Sequence, residues 1–283
     1  MTYLITGATG DVGSKVVHQL IQRGERPRIF VRNAEKAQAQ FGNQVDIRVG
    51  DLADAASLQR ASEGVEKLFL VNSGPQIPVL DDLAAQAAKS AGIRHIVKLS
   101  SFDVEQKLAI GAWHEKGEAA IRASGIAFSF VRPTGFMSNL LAWAHSIRTE
   151  SIVRSSTADG RRPFIHSEDI ASVCLSAILN HEYASEAVPI TGPESLTFGE
   201  VTAIISEATG RPLSYQAISD EEARERYSRI SGSEEETEAH VALWRAIRDG
   251  RLAATTDRVE RILGRKPIAL RQWASENVRL LLN

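Results

Sequence analysis

Gly7-Ala8-Thr9-Gly10-Asp11-Val12-Gly13 follows the apolar run Tyr3-Leu4-Ile5 and precedes Val16-Val17-His18-Gln19-Leu20-Ile21. A strand, a glycine-rich turn and a helix in that order form a phosphate cradle. The glycines let the backbone turn tightly and approach a pyrophosphate, whose charge meets free amides and the positive end of the helix. The spacing Gly-x-x-Gly-x-x-Gly differs from the commoner Gly-x-Gly-x-x-Gly, and in mid-chain it would equally suit an ordinary strand-to-helix turn. Here it opens a repeating pattern, with the second apolar run Arg28-Ile29-Phe30-Val31 one helix later. That context predicts dinucleotide binding by Gly7, Thr9, Gly10, Asp11, Val12 and Gly13. Asp11 suits a helix start, with its amide toward the phosphate and its carboxylate turned away.

The alternation continues outward from this turn. Short β-branched runs over 3–6, 28–32, 45–49, 67–71, 95–99 and 127–132 are separated by helical patterns over 12–23, 34–41, 55–63, 80–91 and 113–124. Strands joined by helical crossovers predict an α/β fold, a Rossmann-like doubly wound parallel sheet, with ligands at the carboxyl ends of its strands. After Arg132-Pro133 the regularity breaks. An aromatic helix around Trp143, a polar loop over 155–162, an apolar strand over 188–190 and a further strand near 213–215 follow in a mostly helical remainder. The expected division is 1–133 for the NAD(P)-binding domain and 134–283 for a smaller, mostly helical C-terminal substrate-binding lobe, interleaved with the first rather than strung beyond it.

The 283 residues, 43% of them hydrophobic, are enough for a substantial core, and the formal charge of -2 gives no broad basic field for nucleic acid. Cys174, the single cysteine, lies in an apolar helical stretch, so disulfides and cysteine metal sites are excluded and a buried structural thiol is expected. No apolar run reaches the roughly 18 residues of a membrane span, and no basic leader precedes the first strand. The expectation is a cytoplasmic protein, monomer or homodimer, acting on a small molecule, with no metal, nucleic acid or membrane partner.

The end of the second strand is where adenosine ribose is recognised. An acid there suits a free 2'-hydroxyl, whereas an arginine pairs with a 2'-phosphate. Arg32, with Asn33 and Lys36 after it, favours NADP; the alternative is a surface arginine at a helix approach. Asp51 and Leu52 follow the third strand, near the adenine. Asn72, Ser73 and Gly74 follow the fourth, near the middle of a dinucleotide. Ser100 and Ser101 follow the fifth, where a hydroxyl would lie near nicotinamide. Each alone is also turn chemistry; as a set they trace one side of the cofactor.

Gly7 to Gly13, Val31-Arg32-Asn33, Gly50-Asp51-Leu52, Ala91-Gly92-Ile93-Arg94-His95-Ile96, Ser100-Ser101, His114-x-x-x-Glu118, Arg132-Pro133-x-Gly135-Phe136-Met137-x-Asn139 and Ile190-Thr191-Gly192-Pro193-Glu194-Ser195-Leu196-Thr197 together resemble the NmrA-like, atypical branch of the short-chain dehydrogenase/reductase superfamily. The likeness is nearest to its bacterial NADPH-dependent quinone reductases and triphenylmethane-dye reductases. It implies an NADPH-dependent oxidoreductase; because the branch also holds redox-sensing regulators, the alternative is a non-catalytic NADP-binding sensor, with the charged stretch 219–229 as its partner surface.

The chain departs from the superfamily at the catalytic pair, Tyr-x-x-x-Lys. If Glu118 matches the glutamate four residues beyond that lysine, His114 takes the lysine slot and Ile110 the tyrosine slot. The resemblance then leaves His114 and Ser101 as catalytic candidates. His114 has a functional reading, as ribose contact or proton donor, and a structural one, as a helix-surface residue paired with Glu118 at i,i+4. A metal role is not expected, because His114-Glu115 lacks the second histidine of a zincin helix. Phe102, Trp113, Phe136, Met137 and Trp143 are substrate-side candidates as well as ordinary core candidates, and Phe136 is also placed to stack on nicotinamide. The expected acceptor is a conjugated molecule such as a quinone. It spreads the incoming charge over distant oxygens and so needs no strong local acid. His166 is expected to be a helix-approach contact.

Overall fold

The computed structural model describes residues 1–283 apart from the side chain of His181. The first half alternates β1 (Tyr3–Thr6), α1 (Asp11–Gln22), β2 (Arg28–Val31), α2 (Ala34–Phe41), β3 (Asp46–Val49), α3 (Ala55–Ser62), β4 (Lys67–Leu70), α4 (Ile77–Ala91), β5 (His95–Leu99), α5 (Ala109–Ala123) and β6 (Ala127–Pro133). Helices α4 and α5 begin at Ile77 and Ala109, earlier than the expected 80 and 113. In α4 the reason is Pro78, which sits in the first turn, where its missing N–H is not needed.

Then come α6 (Ala144–Thr149), β7 (Ile152–Ser155), β8 (Arg161–Pro163), α7 (Ser167–Leu179), β9 (Glu186–Ile190), β10 (Ser195–Thr197), α8 (Phe198–Thr209), β11 (Ser214–Ala217), α9 (Asp220–Ser228) and α10 (Glu234–Arg248), followed by short helices to the end. The central sheet has the order β3-β2-β1-β4-β5-β6-β9. Its pairings from β3 across to β6 are parallel, with Ile5 opposite both Ile29 and Phe69. The chain direction across the sheet reverses between β1 and β4. That is the switch point, where strand ends splay and a ligand crevice opens.

Two compact units divide the chain. One comprises Met1–Ser101, Ala112–Arg132 and Ile170–Pro189; the other comprises Phe102–Gly111, Pro133–Asp169 and Ile190–Asn283. The core of the first packs Leu4, Phe30, Leu58, Leu70, Ile96 and Phe130 around the sheet. Each such side chain removed from water stabilises the fold by roughly 1.5 to 3 kcal/mol. Cys174 is fully buried in this unit, and burial pushes its thiol far above the ordinary range, as suits an inert structural cysteine.

The second unit has its own core, including Met137, Leu140, Ile147, Phe198, Leu243 and Trp273. Two small sheets frame it, β7 with β11 in parallel and β8 with β10 antiparallel. The polar loop expected over 155–162 is therefore corrected: its first residue closes β7 and its last two belong to β8. Ser155, Ser156 and Thr157 are buried rather than solvated. The polarity of Ser155 and Thr157 is absorbed locally, with Ser155 Oγ 3.1 Å from Thr157 Oγ1 and the Tyr215 hydroxyl donating to the Ser155 carbonyl at 3.3 Å, while the Ser156 hydroxyl is enclosed without a partner. Among the described residues no helix is long and apolar enough to cross a membrane.

Candidate dinucleotide site

The cradle is built by contacts within the chain. Gly7 has φ +59, the left-handed conformation that favours glycine, and the Gly10 amide donates to the Gly7 carbonyl at 2.9 Å. A Cβ on Gly13 would stand 2.2 Å from the Gly7 carbonyl oxygen, so helix α1 meets the turn only with glycine there. Gly10 caps α1 without a side chain, leaving the amides at this end uncapped by any side chain. Asp11 turns its carboxylate onto Lys15 at 2.7 Å, which neutralises the charge that would oppose an anion. Val12 is buried and Thr9 half-buried. At the switch point the Thr6 hydroxyl accepts from the Val71 amide at 2.8 Å and ties the end of β1 to that of β4.

Arg32 is exposed at the end of β2 and makes no hydrogen bond or ion pair among the described residues, whereas Asn33 is occupied in capping α2 through the Lys36 amide at 2.8 Å. Asp51 is exposed and accepts from the Ala53 amide at 2.9 Å; Leu52 is half-buried. Ser73 is exposed, and Gly74 has φ +81.

Behind the strand ends lies a buried polar layer. Asn72 Nδ2 donates to Asp81 Oδ1 at 2.6 Å, and Lys98 Nζ sits 2.6 Å from Asp81 Oδ2, with both charged side chains fully buried. A Cβ on Gly117 would come 1.9 Å from that carboxylate, so α5 carries glycine where it passes Asp81. Asn72 is thus oriented by an ion pair. Beside it, the Ser100 hydroxyl donates to Glu118 Oε1 at 2.7 Å and Arg132 Nε donates to the same oxygen at 2.9 Å. The Ser100 hydroxyl is committed to this network, while Ser101 is half-buried next to it.

His114 is 8% exposed, on the inner face of α5, and its Nδ1 is enclosed with no hydrogen-bond partner. Burial first, then the positive charges of Lys98 and Arg132, hold its imidazole well below the ordinary histidine range. It is a neutral ring at pH 7. The reading of His114 as a helix-surface residue paired with Glu118 is overturned, because His114 is buried and Glu118 is engaged by Ser100 and Arg132.

The remaining candidates fall in different surroundings. Trp113 is buried in the first unit. Phe102 and Met137 belong to the core of the second, and Met137 has no exposed surface, which corrects its reading as a substrate contact. Phe136 is half-buried and bridges Ile165 through the backbone. Trp143 lines a cavity of about 740 Å³ that lies wholly within the second unit. His166 accepts from the Glu168 amide at 3.1 Å through Nδ1, the helix-approach contact its position suggests.

A profile of the NmrA-like family matches residues 1–242. The chain belongs to the NmrA-like family. This NmrA-like chain is 35% identical over 277 residues to a (4-alkanoyl-5-oxo-2,5-dihydrofuran-3-yl)methyl phosphate reductase of Streptomyces griseus, with 97% of each chain covered. It is 32% identical to an NAD(P)H azoreductase of Xenophilus azovorans, with 96% of each covered. Its fold superposes on an NADPH-dependent quinone oxidoreductase of Escherichia coli in complex with NADPH, with a TM-score of 0.87, 23% identity and coverage of 98% and 99%.

Sequence reasoning missed the parts of this NmrA-like site that lie one layer down. Lys98 and Asp81 are a lysine inside a strand and an aspartate inside a helix, and only their pairing in space marks them. Arg132 stood in a motif without a role, and Glu118 served only to mark the His114 slot and as a surface partner of His114. Their signal was the cost of burying charge at sheet-facing positions, which demands a partner.

Proposed function

We propose that this NmrA-like chain is an NADPH-dependent oxidoreductase that delivers hydride to a flat, conjugated small molecule such as a quinone. The observation that carries the reading is His114, a buried neutral imidazole with an unpartnered Nδ1, within reach of the charges of Lys98 on β5 and Arg132 on β6. An orphaned buried polar atom, an uncapped helix start and an unpaired Arg32 are what a phosphorylated dinucleotide would satisfy. Bound there, NADPH supplies two electrons and a proton as hydride.

The chain's own residues then have distinct tasks. The first-turn amides of α1 face the pyrophosphate, and Arg32 pairs with the 2'-phosphate. Neutral His114 offers a ring N–H as donor and the other ring nitrogen as acceptor, so it positions and polarises without being an imidazolium acid. Lys98 and Arg132 lend a positive field to that region, which favours charge developing on an acceptor. Ile110, in the slot of the usual tyrosine, gives no proton; a conjugated acceptor delocalises its charge and takes its proton from water. The names of two relatives point the same way, one a reductase of an acylated dihydrofuranone and the other an azoreductase.

The sensor alternative accounts equally for the glycine turn, Arg32 and the missing tyrosine, and differs in needing a partner surface. The charged stretch proposed as its partner surface is engaged within its own unit, Asp220 with Arg245 at 2.7 Å and Arg224 with Glu238 at 2.9 Å. Incubating the protein with NADPH and a panel of quinones tests the reading by the fall in cofactor absorbance. Tight NADPH binding with no oxidation by any acceptor would reverse the choice.

A further inference from the structure

We infer that the cavity of the second unit binds a flat conjugated molecule through an oxyanion substituent, a carboxylate, sulfonate or phosphate ester, received by Arg162. The inference rests on the reductase reading and names the class of its acceptor. Arg162 stands on β8 and lines the cavity of about 740 Å³, yet the residue is only 9% exposed. A guanidinium has five N–H donors. None of those of Arg162 makes a hydrogen bond among the described residues, and its Nε is fully enclosed without a partner. Its counter-charge, Asp103 Oδ1, lies 3.7 Å from Nη2, beyond hydrogen-bond distance.

Asp103 therefore offsets part of the charge and leaves the donors unfilled. Buried donors without partners destabilise a fold, and a bidentate oxyanion is the group that fills an arginine fork. The neighbouring cations on the cavity wall hold closer partners: Arg226 lies 2.8 Å from Glu222, and Arg154 lies 2.7 Å from Glu150 and donates to Gln216 at 2.9 Å, with its Nη1 alone enclosed without a partner. Space is reserved for the fork as well. A Cβ on Gly135 would stand 2.8 Å from Arg162 Nε.

The rest of the wall selects a flat ligand. Trp143 meets Phe198 edge-on at 5.6 Å, and Tyr227 meets Trp244 edge-on at 5.6 Å. The Tyr227 hydroxyl donates to His240 Nε2 at 3.0 Å, while His240 Nδ1 donates to the Glu236 carbonyl at 2.9 Å. Both rings are thereby satisfied and uncharged, and they pack on one another with centroids 4.2 Å apart, so this part of the wall is aromatic and carries no charge. The volume suits a molecule of two or three fused rings.

The test measures binding by calorimetry without cofactor, so its outcome is independent of hydride transfer. The probes are 1,4-naphthoquinone-2-sulfonate and 1,4-naphthoquinone. The sulfonate is expected to bind at least tenfold more tightly, and Arg162→Gln to reduce that preference to within about twofold while the neutral quinone is unaffected. Equal affinities in the parent protein, or a preference that survives Arg162→Gln, would overturn the inference. If Arg162→Gln does not fold, Trp143→Phe/Trp244→Phe locates the site without touching the arginine. The sulfonate should lose most of its tryptophan quenching in that variant, with Trp113 and Trp273 still present, and unchanged quenching refutes this cavity as the site. Preferential binding of the sulfonate with no NADPH oxidation counts against the reductase reading alone.

Discussion

Arg132 and Glu118 form a two-pronged buried pair, Nε to Oε1 at 2.9 Å and Nη2 to Oε2, with the Glu118 side chain fully enclosed. Coulomb attraction inside a protein compensates desolvation only when both partners are present. Glu118→Gln leaves the Arg132 charge buried and poorly matched. It should destabilise the fold by about 3 to 5 kcal/mol, whereas the double variant Glu118→Leu/Arg132→Met should cost less than the sum of its single changes. Urea denaturation midpoints of the parent, Glu118→Gln, Glu118→Leu, Arg132→Met and the double variant measure this, and strict additivity would show the pair to be energetically idle.

His114 makes stability depend on pH in a defined direction. Its folded-state affinity for protons lies well below the ordinary histidine value of 6.5, so the unfolded chain binds the proton more readily. Stability from this group is complete above that value and is lost as pH falls through it toward the folded value. His240 is shifted the same way, by burial, and adds to the trend. Denaturation midpoints measured from roughly pH 7.5 down to roughly pH 5 should fall less steeply in His114→Gln than in the parent. Parallel slopes would mean that His114 titrates normally in the folded protein.

The same neutral ring sets the expectation for turnover. His114→Ala should lower kcat for quinone reduction by about a hundredfold if the ring polarises the acceptor, and should weaken NADPH binding if it holds the ribose. In the parent, kcat should not rise as pH falls through the normal histidine range, because the ring acts uncharged. A variant with unchanged turnover and unchanged affinity would remove His114 from the site.

The alternating pattern made the sheet legible because its central strands β1 and β4 are short, largely apolar runs buried along their whole length, the form that parallel strands covered on both faces take. The glycine turn and Arg32 were legible for a related reason: backbone geometry and one exposed charge are local properties. β8 was not, since Arg161-Arg162-Pro163 has neither alternation nor β-branching and becomes a strand only by pairing with β10. The Lys98–Asp81 pair and the idle donors of Arg162 were hidden for the same reason. They are facts about partners distant in sequence, and a sequence states residues without their neighbours.

Arg32 should determine cofactor choice. It is exposed and unengaged among the described residues, so its replacement disturbs no internal contact. A charge-assisted bond to the 2'-phosphate is worth about 1.5 to 3 kcal/mol. Arg32→Asp should therefore weaken NADPH by about ten- to a hundredfold and leave NADH the same or better. Equal dissociation constants for the two cofactors in the parent would falsify the assignment.

The two later glycines of the turn separate ligand approach from chain packing. At Gly13 an added Cβ meets the Gly7 carbonyl at 2.2 Å, so Gly13→Ala must move α1 away from the turn. It should lower stability by about 1 to 3 kcal/mol, the usual cost of overpacking. Gly10 is exposed, has an ordinary φ of -91 and would bring a Cβ only to 3.2 Å of the same oxygen. Gly10→Ala should therefore stay within about 1 kcal/mol of the parent in stability. If a pyrophosphate lies against this turn, the methyl group stands where the anion approaches, and NADPH affinity should drop by at least about tenfold, or about 1.4 kcal/mol. Cofactor fluorescence titration read beside thermal melting distinguishes the two effects. A Gly10→Ala protein that melts like the parent and binds NADPH equally well would show that the backbone here is not the phosphate contact.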